Sequence, residues 1–571
     1  MVTINIKPNN SFGPFLEIEV KYPIADLETF QFAIPIWRPG RYELQHYAKN
    51  IRNLRVYNQV QAELLVNKIE KSKWEVLCAG ADEITISYLY FANKIDAGST
   101  YTGANLLYIN FINCVLMADD FMNEPHEINI VHNFEHEISS LLSSNKGQFL
   151  ADSYFQLADS PFFASNQVQK IIYQVQNIDF TINFINADFE NVEKISFDFE
   201  RFTKETFAIF KEAPFQKYSF NFIITKFPFY HGVEHAQDTT IVLGPDYELN
   251  TKPFYDNILG IACHELFHAW NALAIRPQEL QPYTFLTEPY FVTGYVIEGL
   301  TTYFGDYLLA RAGVISENKY LDEISILINK VYGNWGYQSQ SLADSSMDLW
   351  LDGYGTAIQH RRQSIYHHGA ILALIIDILI RKNSNHTFSL DSLLLKMWEK
   401  FGKSSFGYSH TDILNLIQEF SNETVKELVN EYITKRFLSI FELNQYLSFI
   451  NLEILSTENE AVEQSFGFKT SFANAKTIVS ELLTNETLLW ENDEILAVNG
   501  RIVDNNISAL LKIGEENELI INREKSVKVV KIQPISNGLN YKFIVVKKSE
   551  AEKESIENYT KWLKTVTLQN Y

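Results

Sequence analysis

The hydrophobic and polar positions of this chain change their pattern twice. In the first third apolar residues alternate with polar ones, for example over residues 15–20 and 84–90, which predicts strands with one buried face. Turn-forming pairs such as Pro39-Gly40 separate these segments. We therefore predict an antiparallel β domain over residues 1–165.

The middle of the chain begins with one more predicted strand, over residues 218–224. From about residue 256 the spacing of apolar residues is typical of helices, most clearly over 292–313 and 365–381, and it continues to about residue 443. This order predicts a second domain over residues 166–445, in which a platform of strands is followed by helices.

The last part of the chain returns to strands. Residues 493–503 read as two short strands joined by a turn at Asn499-Gly500, and Phe466-Gly467-Phe468 forms a loop that enters a strand. Together these segments resemble a PDZ domain over residues 452–547. That resemblance implies a loop whose backbone N–H groups bind the carboxylate of a peptide C-terminus. The alternative is a degenerate unit that only packs on the rest of the protein. We predict a terminal helix or tail over residues 548–571.

Composition and charge narrow the classes of partner. The 571 residues carry a net charge of −22 and contain no run rich in Lys and Arg, so we expect no nucleic-acid partner. Three cysteines are too few for a disulfide framework and fit a reducing compartment. The most apolar run, 369–380, is short and contains Asp377, so no membrane span is expected. We expect a cytoplasmic protein, or a periplasmic one if a leader was removed, because residues 1–7 alternate like a strand.

The segment His264-Glu265-Leu266-Phe267-His268 carries the first candidate chemistry. On a helix, positions i and i+4 share a face, so both imidazoles point at one spot that can hold Zn²⁺. Glu265 lies beside the first histidine, where it can take a proton from an attacking water. A surface helix with two histidines is the alternative.

A third ligand is predicted at Glu298, the only acidic residue between Glu288 and Asp306. A lone carboxylate in an apolar helix is costly to bury unless it is paired, and a metal ion would pair it. Two histidines and one glutamate leave the fourth position open, as in catalytic zinc sites. The alternative is a helix N-terminal acid stabilised by the helix dipole. Strands followed by helices with this motif predict a thermolysin-like zincin catalytic domain with a helical extension and one Zn²⁺ per chain.

Several segments in a fixed order resemble one family. They are Pro35-Ile36-Trp37-Arg38-Pro39-Gly40-Arg41-Tyr42, His264 to Asn271, Arg276-Pro277 and Glu298-Gly299-Leu300-Thr301-Thr302-Tyr303-Phe304, with 298 − 268 = 30 positions between the second histidine and the glutamate. The chain resembles the glycyl aminopeptidase family of PDZ-containing zinc metallopeptidases, in the gluzincin clan. The resemblance implies a multidomain α+β protein with an N-terminal β domain, a zincin domain and a C-terminal PDZ-like domain.

Two more segments have roles through that resemblance. His231-Gly232-Val233-Glu234-His235 resembles a cleft-lining strand in which the glutamate binds the free α-amino group of the substrate, which places His231, Gly232 and Glu234 in the substrate site. Ser364-Ile365-Tyr366-His367-His368-Gly369-Ala370 resembles the segment whose tyrosine, here Tyr366, stabilises the oxyanion. His231, Asp238 and His368 differ from the residues usual in the family.

The predicted function is that of a zinc-dependent aminopeptidase that releases N-terminal residues from peptides. A preference for Gly and Ala is implied by the resemblance alone. Two alternatives stay open: a thermolysin-like endopeptidase, in which Glu234 binds no amine, and a non-catalytic scaffold that binds peptides through the PDZ-like domain.

Overall fold

The computed structural model describes residues 1–9, 13–25, 27–333, 336, 339–353, 355, 358, 360–404, 406–435, 437–458, 461–484, 487–535 and 541–563. The end of the predicted tail, 564–571, and three short parts of the predicted PDZ-like region, 459–460, 485–486 and 536–540, lie outside the described residues. None of the described helices is long and apolar enough to cross a membrane.

The N-terminal region is rich in β-structure, as predicted. Its described strands are β1 (Val2–Asn9), β2 (Phe15–Pro23), β3 (Thr29–Ala33), β4 (Ile51–Asn58), β5 (Val66–Glu70), β6 (Lys73–Leu77), β7 (Glu83–Phe91), β8 (Tyr101–Thr102), β9 (Leu106–Ile109), β10 (His126–Ile130), β11 (His136–Ser139), β12 (Leu142–Asn145), β13 (Gln148–Ala151) and β14 (Phe162–Ser165), with the short helices α1 (Phe111–Cys114) and α2 (Tyr154–Ala158). They form sheets in the orders β12-β13-β10-β1-β2-β7-β4, β11-β14-β9-β8 and β3-β6-β5.

The prediction of a wholly antiparallel domain is wrong at one place. Strands β1 and β10 pair in parallel, with Val2 opposite His126, while the other pairs in these sheets are antiparallel among the described residues. Only a short hairpin forces its two strands to run antiparallel, and β1 and β10 are joined by a long connection. Period-two burial in β1, with Val2, Ile4 and Ile6 inside, is compatible with either direction.

The second region starts with a mixed sheet of strands β15 (Val168–Val175), β16 (Ile178–Ile185), β17 (Lys217–Ile224), β18 (Phe229–Glu234) and β19 (Asp238–Gly244), in the order β15-β16-β17-β19-β18. Two helices accompany it, α3 (Val192–Phe210) and α4 (Lys252–His268). Helix α4 begins four residues before the predicted start, because Thr251 caps it and Pro253 is tolerated in the first turn. Strand β18 lies at the edge of the sheet and contacts α4.

Helices then dominate to residue 449. A π-helical turn (Tyr295–Leu300) runs directly into α5 (Thr301–Arg311), and the following helices are α6 (Glu317–Tyr332), α7 (Leu342–Met347), α8 (Leu349–Asp352), α9 (His367–Asn383), α10 (Leu390–Met397), α11 (His410–Phe420), α12 (Glu423–Thr434) and α13 (Ile440–Phe449). The strongly apolar α9 is buried along its length, including Asp377, which pairs with Arg381 at 3.0 Å. The predicted buried helix is confirmed.

The C-terminal region contains β20 (Leu452–Glu458), β21 (Phe468–Ala473), β22 (Lys476–Leu482), β23 (Glu494–Val498), β24 (Arg501–Ile502), β25 (Asn517–Arg523), β26 (Ser526–Ile532), β27 (Tyr541–Lys547) and helix α14 (Lys553–Leu563). Strands β21 to β26 enclose a small core of their own. The pair β20–β27 instead packs on the helical region, where the Val545 N–H donates to Ser325 Oγ on α6 at 2.9 Å. Trp562 of α14 is also buried there and donates to Tyr303 Oη at 3.2 Å.

One N-terminal segment is built into the core of the second region. The Trp37 side chain is fully buried, and its Nε1–H donates to the carbonyls of Thr284 (2.9 Å) and Thr287 (3.0 Å). This anchor places the neighbouring Pro39-Gly40 turn at the edge of strand β18, where it meets Glu234.

Candidate metal and peptidase site

Three predicted ligands converge at one point. The Nε2 atoms of His264 and His268 on α4 lie 3.1 Å apart, and Glu298 Oε2 lies 3.4 Å from the latter and 3.8 Å from the former. The side-chain ligand atoms of all three lie within 4.8 Å of one another. Two imidazole nitrogens and one carboxylate oxygen suit Zn²⁺, and all three residues line a cavity, so a fourth position faces open space.

The protonation of His268 is set by its other nitrogen. Its Nδ1–H donates to the backbone carbonyl of Asn271 at 3.0 Å, which leaves Nε2 to face the other ligands. Asn271 Nδ2 in turn donates to the carbonyl of Val296 (2.8 Å) and to Thr301 Oγ1 (3.0 Å). These hydrogen bonds join the end of α4 to the π-helical turn that carries Glu298.

The electrostatics of this point favour a cation. Burial, with His268 nearby, holds the pKa of His264 well below its usual value, so this ring is neutral. Burial also lowers the pKa of His268, but Glu298, followed by Glu234 and Glu265, more than offsets this and raises it to about 10. Three carboxylates around one buried point thus make a site for positive charge.

Glu265 lies beside the three candidate ligands and is not one of them. Its Oε2 is buried and has no hydrogen-bond partner in the described part of the chain. Burial, reinforced by Glu234 and Glu298 against the opposing charge of His268, holds the pKa of Glu265 well above its usual range. Strand β18 lets it sit this close, because a Cβ on Gly232 would lie 2.1 Å from Glu265 Oε1. A free carboxylate that accepts a proton readily has the properties of a general base.

Glu234 ends strand β18 and is buried against the N-terminal region. A Cβ on Gly40, which has φ +75°, would lie 2.5 Å from Glu234 Oε2, so only glycine fits here. Burial raises the pKa of Glu234, while His268 and Arg38 lower it. The charges of His268 and Arg38 thus both act on this carboxylate, which lines the cavity that holds the candidate metal point.

The segment that includes Tyr366 lies at the start of α9. Tyr366 is half-buried and lines the cavity, and so does His367, whose pKa burial lowers to about 4. His368 does not line it: this ring is fully buried, accepts from the Ser364 N–H at 3.1 Å and packs on Phe437. The neighbouring histidines thus face different surroundings and do not form a second metal site.

His231 and Asp238 are the two other residues that differ from those usual in the family. His231 lines the cavity, and its Nδ1 accepts from the Ala97 N–H at 3.2 Å, which turns the ring towards the N-terminal region. Asp238 is buried behind the strand, where burial raises its pKa to about 6 against the opposing charge of His235.

All the predicted site residues share one cavity of about 890 Å³. Its walls include His231, Gly232, Glu234, His264, Glu265, His268, Glu298 and Tyr366. The contributions come from an edge strand, two helices and a π-helical turn. The sequence places Gly40 and Arg38 in the N-terminal signature segment but does not predict that Gly40 reaches this wall or that Arg38 is buried close to it.

Comparisons with known proteins agree with this geometry. Residues 3–166 match the family model of the Peptidase M61 N-terminal domain, and residues 257–372 match that of the M61 glycyl aminopeptidase. The second match spans all three candidate ligands and Tyr366. The chain is a metallopeptidase.

One solved structure shares the fold of this peptidase, and a second is reported beside it as a more distant match. An aminopeptidase N family protein from Idiomarina loihiensis superposes with a TM-score of 0.88 over 99% of this chain and 100% of that chain, at 22% identity. An M1 zinc metallopeptidase from Deinococcus radiodurans has a TM-score of 0.48 at 12% identity, over 77% of this chain and 94% of that chain. No curated protein matches the peptidase in sequence.

Proposed function

We propose that this metallopeptidase is a zinc-dependent aminopeptidase with one Zn²⁺ per chain, held by His264, His268 and Glu298. The observation that carries the proposal is that these ligand atoms lie on the wall of one cavity with Glu265 and Glu234. Bound zinc would act as a Lewis acid that polarises the scissile carbonyl and stabilises negative charge on it.

The chain's own residues supply the proton transfers. Glu265, buried and without a partner, takes a proton from the attacking water and passes it to the leaving amine. Tyr366 donates a hydrogen bond to the oxyanion that develops on the substrate carbonyl. The raised pKa of Glu265 suits both steps, because the acid form must persist long enough to protonate the leaving group.

Glu234 selects the free N-terminus. Its buried carboxylate pairs with the α-ammonium of the substrate and so fixes the scissile bond one residue in. Gly232 and His231 line the path beside it. The preference for Gly and Ala that the family resemblance implies belongs to this proposal.

We propose three domains: an N-terminal domain over residues 1–165, a catalytic domain over 166–445 and a PDZ-like domain over 452–547. In the described sheet β21 pairs only with β22, so its other edge is open to an added strand. A carboxylate already lies at the loop: Glu463 accepts from Thr470 on β21 at 3.4 Å and bonds to Ser508. A peptide C-terminus would compete with it, so this groove is a weaker peptide site than the cavity.

The test uses Gly- and Ala-p-nitroanilide together with their N-acetylated forms. We expect turnover of the free-amine substrates only, and loss of turnover with retained zinc in Glu265→Gln. Glu323→Gln is the matched control, because Glu323 lines the same cavity but pairs with Lys319 at 2.6 Å. Hydrolysis of an internal bond in N-acetylated peptides would favour the endopeptidase. The proposal would be overturned if the protein, purified with added zinc, contained no bound zinc.

A further inference from the structure

A second cavity of about 400 Å³ lies behind the candidate active site. Glu234 lines both cavities, so the second one starts where the substrate ammonium is proposed to bind. Much of its wall is aromatic, from Phe155, Tyr283 and Phe285. A cavity of this size, with a few polar groups in an apolar wall, has the form of a pocket for a small ligand group.

Several buried polar atoms of the residues that line this cavity form no hydrogen bond with a described residue. Buried nitrogen atoms without a hydrogen bond to a described residue occur at three of its lining residues, Arg38 (Nε and Nη2), His235 (Nε2) and Arg276 (Nε). Buried polar groups in proteins are nearly always hydrogen-bonded, so such a cluster points to a bound group. Most of these atoms are N–H donors, which calls for an acceptor.

Arg38 is the more deeply buried of the two arginines that line the cavity. Its side chain is only 2% exposed, Nη1 donates to the carbonyl of Pro39 at 3.1 Å, and the guanidinium forms no ion pair with any described residue. The carboxylate of Asp96 is engaged elsewhere, by Lys94 at 2.6 Å. A Cβ on Gly98 would lie 1.9 Å from Arg38 Nη2, so this glycine makes the room for the group. Arg38 lowers the pKa of the nearby carboxylates Asp96 and Glu234, but neither forms a direct ion pair with it, and an incoming carboxylate would supply that contact.

The carboxylates that line the cavity do not fill this role. Asp159 accepts from His235 Nδ1 at 3.1 Å and from the Ala236 N–H at 2.9 Å. Glu234 faces the other cavity as well, where it is assigned to the substrate ammonium. Neither carboxylate forms a direct ion pair with Arg38, so that contact is left for an anion that comes from outside the chain.

We propose that this cavity is the pocket for the side chain of the substrate's first residue, and that Arg38 binds a carboxylate there. The substrate class that follows is peptides with N-terminal Glu or Asp, accepted in addition to the small residues that leave the pocket empty. The inference rests on the proposed function. Such a residue carries an ammonium for Glu234 and a carboxylate for Arg38, while the aromatic wall covers its methylene groups. Arg38 is thus a specificity-determining residue.

The experiment compares kcat/KM for Glu-, Gln- and Ala-p-nitroanilide. Gln has the shape of Glu without the charge, so the Glu:Gln ratio isolates the ion pair. We expect the wild type to favour Glu by about tenfold or more, and Arg38→Met to bring the ratio close to 1. Arg41→Met is the matched control and keeps the wild-type ratio, because Arg41 lines neither cavity and pairs with Glu43 at 2.7 Å.

A binding measurement keeps the two proposals separate. Calorimetry with free L-glutamate and L-glutamine is expected to show tighter binding of glutamate, lost in Arg38→Met. If the wild type hydrolyses none of the anilides, the proposed function fails while glutamate binding still tests the pocket. If Ala-p-nitroanilide is cleaved but Glu is not favoured over Gln and glutamate binds no better, the pocket inference alone is overturned. Should Arg38→Met not fold, Arg38→Gln keeps hydrogen-bonding groups at this position but removes the charge, and it is expected to lower the same ratio.

Discussion

Gly299 and Gly369 touch where the π-helical turn crosses α9. A Cβ on Gly299 would lie 2.5 Å from the Cα of Gly369, and a Cβ on Gly369 would lie 2.7 Å from the Cα of Gly299. Glu298 directly precedes the first glycine, and Tyr366 lies three residues before the second. The close approach of the two backbones therefore brings the candidate third ligand and the candidate oxyanion donor to one cavity.

Gly299→Ala is expected to push these two helices apart. Forcing a methyl group into a packed crossing costs about 1–3 kcal/mol, which would lower the melting temperature by several degrees. Glu298 would move with the turn, so zinc content after dialysis should fall as well. Gly305→Ala is the control, since its Cβ would meet His264 Cβ at an ordinary 3.5 Å. Equal zinc content and stability in both variants would contradict this account of the crossing.

Gly232→Ala is expected to damage turnover while leaving zinc in place. The new Cβ would lie 2.1 Å from Glu265 Oε1, and the general base would have to move. Misplacement of a reacting group by about 1 Å can cost about 100-fold in rate. Steady-state kinetics with Ala-p-nitroanilide and a zinc assay measure both effects. Gly260→Ala, in the same cavity wall with no heavy atom within 4 Å of its Cβ, should keep wild-type kinetics.

Thr301→Val tests the support behind His268. Thr301 Oγ1 donates to the Ile297 carbonyl at 2.6 Å and accepts from Asn271 Nδ2 at 3.0 Å, so valine would leave both groups without this partner. Groups that orient metal ligands typically affect metal affinity by about 10–100-fold. We expect zinc affinity, measured by competition with a chelator, to fall by about tenfold. Thr302 Oγ1 has no partner in the described structure, so Thr302→Val should bind zinc as the wild type does.

Asp238→Asn is expected to change how stability depends on pH. Burial raises the pKa of Asp238 from 3.8 to about 6, so between these values the folded protein holds a proton that the unfolded chain has released. Raising the pH through this window therefore weakens the wild type relative to the variant. The difference in unfolding free energy between Asp238→Asn and the wild type should grow to about 3 kcal/mol above pH ~6 and then stay constant. A gap that is flat from pH 4 to 8 in thermal unfolding would show that Asp238 does not titrate in this way.

Local pattern was enough for part of the site. The HExxH spacing predicts two imidazoles on one helix face, and the structure places their Nε2 atoms 3.1 Å apart. An isolated carboxylate in an apolar helix needs a partner, which predicts Glu298 as the third ligand, and Glu298 lies beside these histidines. The π-helical turn that carries it was not predicted, because one extra residue per turn leaves no mark on hydrophobic spacing over so short a segment.

The sequence by itself determined the order of sheet and helices, the buried apolar helix and the two histidines on one face, since these depend on neighbours within a few positions. Only the tertiary structure decided that Gly40 meets Glu234, that β1 and β10 run in parallel, and that Arg38 lies at a second cavity without a direct ion pair to a described residue. These relations join residues far apart in the chain. Their geometry depends on how whole layers pack, which no local periodicity encodes.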